Sequence, residues 1–245
     1  MSQHDRNPSD DVPLQLNPLL TAENFRDEFR RRGRIHISEI LTEAAAQRLF
    51  RALEKETPWG LFCNDGEEVH ELNYRAVSTE TKQEMAIAAW ERAHSRFQYF
   101  YHLCRLLENR KVHPGPHHYL ARLVRFLTSP EFLDFVRTVT GEDSIGWVSA
   151  NATLYMPLDF LTVHDDGLSE RKVAYVLNMT PEWKPDWGGA LQFYDRDDHI
   201  EEGYLPTFNS LNLFCVPKRH SVAQVSSFGG MRYSISGWFQ PALAS

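Results

Sequence analysis

The sequence predicts an α+β chain in which helices pack against one β-barrel or sandwich, the jelly-roll type included. Three observations carry that expectation. Amphipathic helical patterns dominate up to residue 142. From Ser144 to Phe239 they give way to short β-rich segments punctuated by Pro and Gly. No Gly/Ser-rich tether separates the two parts. Residues 19–245 therefore read as a single domain, mainly helical over 19–142 and strand-built over 143–245. Residues 1–18, polar and rich in Asn, Asp and Pro, read as a flexible arm.

In chain order, Phe25 and Phe29 repeat at i, i+4 in a helix that Gly33 ends. Ile35 and Ile37 alternate with polar residues, as in a strand. Thr42 caps a helix running to about Glu56, with Ala46, Leu49, Phe50 and Leu53 on one face, closed by Pro58. Residues 59–75 read as two strands around Asn64-Asp65-Gly66. Ser78 to Asn109 reads as a long helical region whose many aromatics pack in a core. His113-Pro114-Gly115-Pro116-His117-His118 is a loop, more suited to a surface or lid than to a metal. Tyr119–Leu127 adds further helical turns. Ser129-Pro130-Glu131 starts a helix with a cap, a proline and an acid, and Gly141 ends it. Strands follow near 145–155, 159–165, 172–179, 190–194, 210–216, 220–226 and 231–239.

Composition narrows the function classes. The 245 residues are 42% hydrophobic and 24% charged, which suits a folded protein with a sizeable core. The formal charge of −7 argues against a nucleic-acid partner. Cys63, Cys104 and Cys215 are widely spaced with no CxxC pair, so neither a zinc module nor a disulfide framework is indicated. Reduced thiols, no signal-peptide pattern and no long apolar run point to a cytoplasmic protein without a membrane span.

The chemistry concentrates in the β-rich part. His164 and Asp166 stand at i, i+2, so on one strand they face the same side and can hold one metal ion. His220 lies 54 residues beyond Asp166, at the start of a predicted strand. Two histidines and one carboxylate leave open octahedral positions, the ligand set of non-haem Fe(II) oxygenases. Those positions suit a bidentate co-substrate and O2. Twelve residues further stands Arg232, sharing a strand face with Ser234. A guanidinium fork beside a hydroxyl suits a buried carboxylate, as the far end of a 2-oxo diacid would require.

With these residues in place, segment 144–239 resembles the prolyl-4-hydroxylase-type branch of the 2-oxoglutarate/Fe(II) dioxygenases, in particular the ribosomal prolyl hydroxylases of yeasts and their bacterial relatives. The resemblance rests on His164-Asp165-Asp166, Trp187-Gly188-Gly189-Ala190-Leu191, Leu211–Val216, His220-Ser221-Val222 and Arg232-Tyr233-Ser234-Ile235-Ser236-Gly237-Trp238-Phe239. It implies a double-stranded β-helix, cupin-like in form, with N-terminal helices packed against it. It also implies that His164, Asp166 and His220 hold Fe(II), and that Arg232, with Ser234, binds the distal carboxylate of 2-oxoglutarate. Tyr155, nine residues before His164, matches a tyrosine that hydrogen-bonds the co-substrate. The family's Tyr-Tyr-Leu-Asn run stands here as Tyr175-Val176-Leu177-Asn178. Gly188-Gly189 reads as a tight turn into a strand.

The expected activity is hydroxylation of an unactivated C–H bond with release of succinate and CO2, and with ascorbate as an accessory reductant. A prolyl residue of a protein or peptide is the implied substrate, and a free amino acid or other small molecule is the alternative. Two other readings are a non-catalytic β-helix that senses a metal or ligand and a cupin-like metal enzyme needing no 2-oxoglutarate. The sequence does not specify an oligomeric state.

Overall fold

The computed structural model describes residues 12–66, 68–168 and 170–242. The chain runs α1 (Glu23–Arg32), β1 (Arg34–Ser38), α2 (Glu43–Arg51), β2 (Gly60–Asn64), β3 (Val69–Asn73), α3 (Thr79–Ala93), β4 (Tyr99–Glu108), β5 (Lys111–Val112), α4 (Tyr119–Leu127) and α5 (Pro130–Thr140). It continues through β6 (Ile145–Val148), β7 (Ala150–Tyr155), β8 (Phe160–His164), β9 (Val173–Asn178), β10 (Leu191–Tyr194), β11 (Ile200–Tyr204), β12 (Ser210–Cys215), β13 (His220–Val222) and β14 (Arg232–Pro241).

Strands pair antiparallel in the order β1-β12-β9-β14-β7-β4-β8-β13-β10-β11. β4 bonds to β7 along most of its length and to β8 through Tyr99 and Phe100. The sheet thus folds over on itself at β4 and makes a nearly closed barrel, the double-stranded β-helix. Side chains alternate across each strand, so one set faces a central cavity and the other faces the helices. The outward set includes Ile35, Ile37, Leu177, Leu211, Leu213 and Ile235, which join α1, α2, α4 and α5 in the main core.

The helix termini follow their capping residues. Ser129 Oγ accepts from Phe132 N at 3.3 Å, and Gly33 and Gly141 close α1 and α5 at φ 63° and 70°. α2 begins after Thr42, whose side chain makes no cap hydrogen bond, and buries Ala45, Ala46 and Leu49. The expected arm splits: residues 1–11 lie outside the described residues, while Leu16 bridges Leu41 and Asn17 N donates to Ile40 O.

Two readings are corrected. The long helical region over 78–109 ends at Ala93, and Tyr99–Glu108 is a strand at the hinge of the barrel. Tyr99-Phe100-Tyr101 are strong strand formers, and burial on both faces of β4 hides the alternation that would mark a strand. Beside its helices, the 19–142 stretch thus contributes β4 and β5 as well as the expected strands β1 to β3. β11 went unpredicted because Ile200-Glu201-Glu202-Gly203-Tyr204 is acidic and mostly exposed at the sheet edge.

Candidate active site

The barrel encloses a cavity of about 310 Å³ lined from β4, β7, β9, β12 and β14 on one side and from β8, β10 and β13 on the other. His164 ends β8 and His220 opens β13, and the two are register partners, so their rings lie 4.1 Å apart. Asp166 sits two residues past the end of β8 at φ 58°. Its carboxylate therefore joins the histidines through a left-handed turn, which Asp tolerates, rather than through strand parity. One ligand atom from each of His164, Asp166 and His220 lies within 4.8 Å of the others, the sole such group of three metal-capable side chains among the described residues. The histidines at 113, 117 and 118 form none.

The donor set fits a divalent metal. His164 Nδ1 lies 3.0 Å from Thr162 O and His220 Nδ1 lies 2.6 Å from Lys218 O. Each Nδ1–H donates to a carbonyl, which leaves both Nε2 lone pairs facing the carboxylate. Asp166 Oδ1 is 3.8 Å from His164 Nε2, and Oδ2 is 3.5 Å from His220 Nε2. Burial, and next the neighbouring His164, push the His220 imidazole down to about 4, so it is neutral, the metal-binding form, throughout the physiological range.

Two further side chains set the carboxylate. Trp238 Nε1–H donates to Asp166 Oδ2 at 2.8 Å, and Arg171 Nη1–H donates to Oδ1 at 3.0 Å. The Arg171 guanidinium lies 3.5 Å from the centroid of the Trp238 ring. Trp238 was legible, being on the Arg232 and Ser234 face of one strand by period-2 parity. Arg171 was not, because it lies in a loop with no repeat to read. Gly237 lets β14 lie close against Ser149, whose carbonyl a Cβ there would strike.

Arg232 stands inside the cavity. It is 1% exposed, and its Nη1–H donates to Ser234 Oγ at 3.1 Å. Ser234 Oγ in turn pairs with Thr153 Oγ1 at 2.8 Å. Arg232 Nε has no partner, and no carboxylate pairs with the guanidinium, among the described residues. Tyr155, its register partner on β7, is buried with its ring 5.1 Å from the guanidinium carbon and stacked on Tyr101 at 4.8 Å. Burial pushes both phenols up, so their hydroxyls keep their protons as donors. Tyr175 gives its hydroxyl proton to Ser149 O at 3.0 Å, and both it and Val176 border the cavity. Gly188 and Gly189 adopt φ 68° and 66°, and a Cβ on Gly188 would meet Gln224 O at 2.1 Å, so that turn is required by backbone packing.

A double-stranded β-helix with two histidines and an aspartate in its cavity, and a buried arginine on the facing strand, defines a non-haem oxygenase-type fold and site. Residues 150–240 match the 2OG-Fe(II) oxygenase superfamily, and the chain carries a 2OG-Fe(II) oxygenase domain there. Over 140 residues it is 34% identical to the prolyl 3-hydroxylase OGFOD1 of Mus musculus, covering 54% of this chain and 25% of that protein. Over 133 residues it is 36% identical to the prolyl 3,4-dihydroxylase OGFOD1 of Ostreococcus tauri, covering 49% of this chain and 26% of that one. The chain thus spans about a quarter of the length of these curated relatives. The fold is shared with a Trichoplax adhaerens prolyl hydroxylase solved with a hypoxia inducible factor peptide, at TM-score 0.59, 16% identity and 89% of each chain. The superfamily's name carries its cofactors, Fe(II) and 2-oxoglutarate, and O2 is the oxidant that goes with them. No helix among the described residues is long and apolar enough to cross a membrane.

Proposed function

We propose that this chain is a 2-oxoglutarate- and Fe(II)-dependent hydroxylase acting on a prolyl residue of a protein. The observation that carries the reading is Arg232: a buried guanidinium with no carboxylate partner among the described residues, in the cavity that also presents His164, Asp166 and His220. A charge so placed calls for an anionic ligand, and a dicarboxylic co-substrate held at the metal supplies one. The prolyl substrate rests on the names of the relatives.

In this reading His164 Nε2, Asp166 and His220 Nε2 hold the iron. When bound, iron with 2-oxoglutarate supplies O2 activation coupled to release of succinate and CO2, and thereby oxygen insertion into a C–H bond. The chain's part is geometric and electrostatic. Thr162 O and Lys218 O fix the two imidazoles in the tautomer that points Nε2 inward. Trp238 and Arg171 hold the Asp166 carboxylate in one orientation. Arg232 binds the far carboxylate of the co-substrate, Ser234 and Thr153 keep that guanidinium in place, and the Tyr155 hydroxyl donates to the co-substrate. Phe62, Tyr99 and Tyr101 pack together along one wall, Phe62 stacked on Tyr99, and exclude water. No side chain is placed as a general base, and the reaction needs none.

The three unpaired thiols support a reducing, cytoplasmic setting for this chemistry. A protein or peptide partner follows from the prolyl substrate.

The test has two stages. Anaerobic Fe(II) and then 2-oxoglutarate are added to the purified chain, and the visible charge-transfer band is recorded for the parent, His164→Ala and Arg232→Ala. The band is expected in the parent, lost with His164→Ala and weakened with Arg232→Ala. Aerobic incubation with a proteome of the same source lacking this enzyme is then read by peptide mass spectrometry for one added oxygen on proline, with NMR assigning the 3- or 4-carbon. A parent with bound iron and no band overturns the oxygenase reading. A band without any prolyl product, but with succinate released on a free amino acid or other small molecule, moves the substrate to that class.

A further inference from the structure

β1 and β11 are the two ends of the strand order, and among the described residues no backbone ladder joins them. Side chains close that gap. Two arginines of the basic run Arg30-Arg31-Arg32-Gly33-Arg34 cross it. Arg34 Nε donates to Glu202 Oε2 at 2.5 Å and Arg34 Nη1 to Glu201 Oε2 at 3.0 Å, while Arg32 pairs with Glu202. The Arg34 guanidinium also lies 5.2 Å from the centroid of the Phe193 ring, and Phe193 is the register partner of His220.

This ionic seam reaches the metal ligands through Lys218, in the connection from β12 to β13 two residues before His220. Lys218 Nζ donates to Glu201 Oε2 at 2.6 Å, so one carboxylate oxygen joins this lysine to the arginine of β1. The Lys218 hydrogen bond holds the Glu201 carboxyl below its ordinary value, so the pair is ionised at neutral pH. The Lys218 main chain touches the ligand set twice. Its carbonyl accepts from His220 Nδ1–H at 2.6 Å, and its N–H donates at 3.1 Å to the carbonyl of Asp165, between His164 and Asp166. The other imidazole is oriented by neutral groups: His164 Nδ1–H goes to Thr162 O, and Thr162 Oγ1 bonds to the Gln98 main chain.

We propose that Lys218 is a positioning residue of the metal centre, its ammonium tied to Glu201 and through it to Arg34 so that its main chain holds His220 in metal-binding geometry. The inference rests on His164, Asp166 and His220 being the metal ligands, as in the proposed function. It adds that the seam between the sheet edges sets the affinity of that site and makes it sensitive to salt. The Lys218 and Glu201 side chains are 29% and 34% exposed, so the tie has the modest strength of a partly screened pair.

The test uses the whole chain and Co(II) as the probe, titrated without oxygen and read by visible absorption. Lys218→Met keeps the stem and removes the charge, and Glu201→Gln keeps the shape of the partner. Each is expected to weaken Co(II) binding about fivefold, the scale of one partly exposed ion pair. The double variant is expected to bind no more weakly than either single one, because both cut the same tie. Lys218→Arg is expected to recover most of the affinity. In 1 M NaCl the parent and Lys218→Met are expected to agree within twofold, since salt screens the tie. Imidazole 15N spectra of the metal-free protein give a readout that stability alone does not move. The His220 signals, identified by their loss in His220→Gln, are expected to show one tautomer in the parent and a mixture in Lys218→Met, with His164 unchanged. Melting temperatures confirm that each variant folds, and Glu201→Gln carries the test if Lys218→Met does not. Equal Co(II) affinity in parent and folded variants overturns the proposal, as do losses that multiply in the double variant. A parent that binds no Co(II) overturns instead the ligand set on which the proposal rests.

Discussion

The metal-ligating side and the Arg232 side of the catalytic cavity treat buried charge in opposite ways. Around the metal ligands the Asp166 carboxylate is answered by the chain itself: Trp238 and Arg171 donate to its two oxygens, and two imidazoles face it. At Arg232 the guanidinium is more deeply buried, yet among the described residues it is met by a serine hydroxyl and an aromatic ring and by no carboxylate. The difference locates the missing ligand charge. A buried cation without an anion is costly to fold, so a chain that keeps one has a site for an anion that arrives later. The metal side needs no such anion. It needs a cation that three preset donors can share.

The comparison breaks most visibly at Arg232. Arg232→Met keeps the volume and removes the charge. It is expected to weaken 2-oxoglutarate binding by about a hundredfold, ~3 kcal/mol, the scale of a severed buried charge pair. The metal-free variant is expected to melt at or above the parent's temperature, because the unpaired charge is gone. Calorimetry together with a co-substrate titration of the iron-loaded protein reads both. A variant that melts well below the parent would mean that Arg232 is satisfied within the fold, and the contrast would collapse. Trp238→Phe sharpens the other side. It removes one donor from Asp166 and leaves Arg232 alone, so Fe(II) affinity is expected to fall about tenfold while 2-oxoglutarate affinity stays within twofold, both measured by anaerobic titration.

Much of this contrast was legible in the sequence. His164, His220, Arg232 and Ser234 sit at strand positions where period-2 parity and the spacing of short β segments place side chains on one face. The pairing of His164 with Asp166 was legible for a different reason than the geometry gives. Parity joins them on paper, whereas in the fold β8 stops at His164 and Asp166 reaches the site through a left-handed turn. Tyr101 was hidden because β4 is buried on both faces, which removes the alternation that marks a strand. Arg171 was hidden because the distance from a loop to Asp166 is fixed by tertiary packing, and no local pattern encodes it.

Acid distinguishes the two sides again. His220 is held near 4 in the fold by burial and by His164, against about 6.5 when unfolded. Between those values the unfolded chain binds the proton that the native site refuses, so the metal-free protein is expected to lose stability as pH falls from about 6.5 toward 4. Its stability is expected to level off above that window. Urea midpoints at pH 7 and pH 5 measure the loss, and His220→Gln is expected to shrink the difference. Equal slopes in parent and variant would assign the acid sensitivity elsewhere.

An effect no larger than that at Trp238 is expected at Ser234, and it tests whether the Arg232 side is organised as well as charged. Ser234 Oγ is held between Thr153 Oγ1 at 2.8 Å and Arg232 Nη1 at 3.1 Å, so one hydroxyl ties the guanidinium to the neighbouring strand. Ser234→Ala removes that tie and leaves the charge in place. The loss is one hydrogen bond to a charged group, about 1.5 kcal/mol. It is expected to appear as a rise of roughly tenfold in KM for 2-oxoglutarate with kcat nearly unchanged, because the metal ligands and their supports are untouched. Ser234→Thr, which keeps the hydroxyl, is expected to recover part of the affinity. A fall in kcat instead would place Ser234 in the chemistry at the metal and would merge the two sides that the geometry separates.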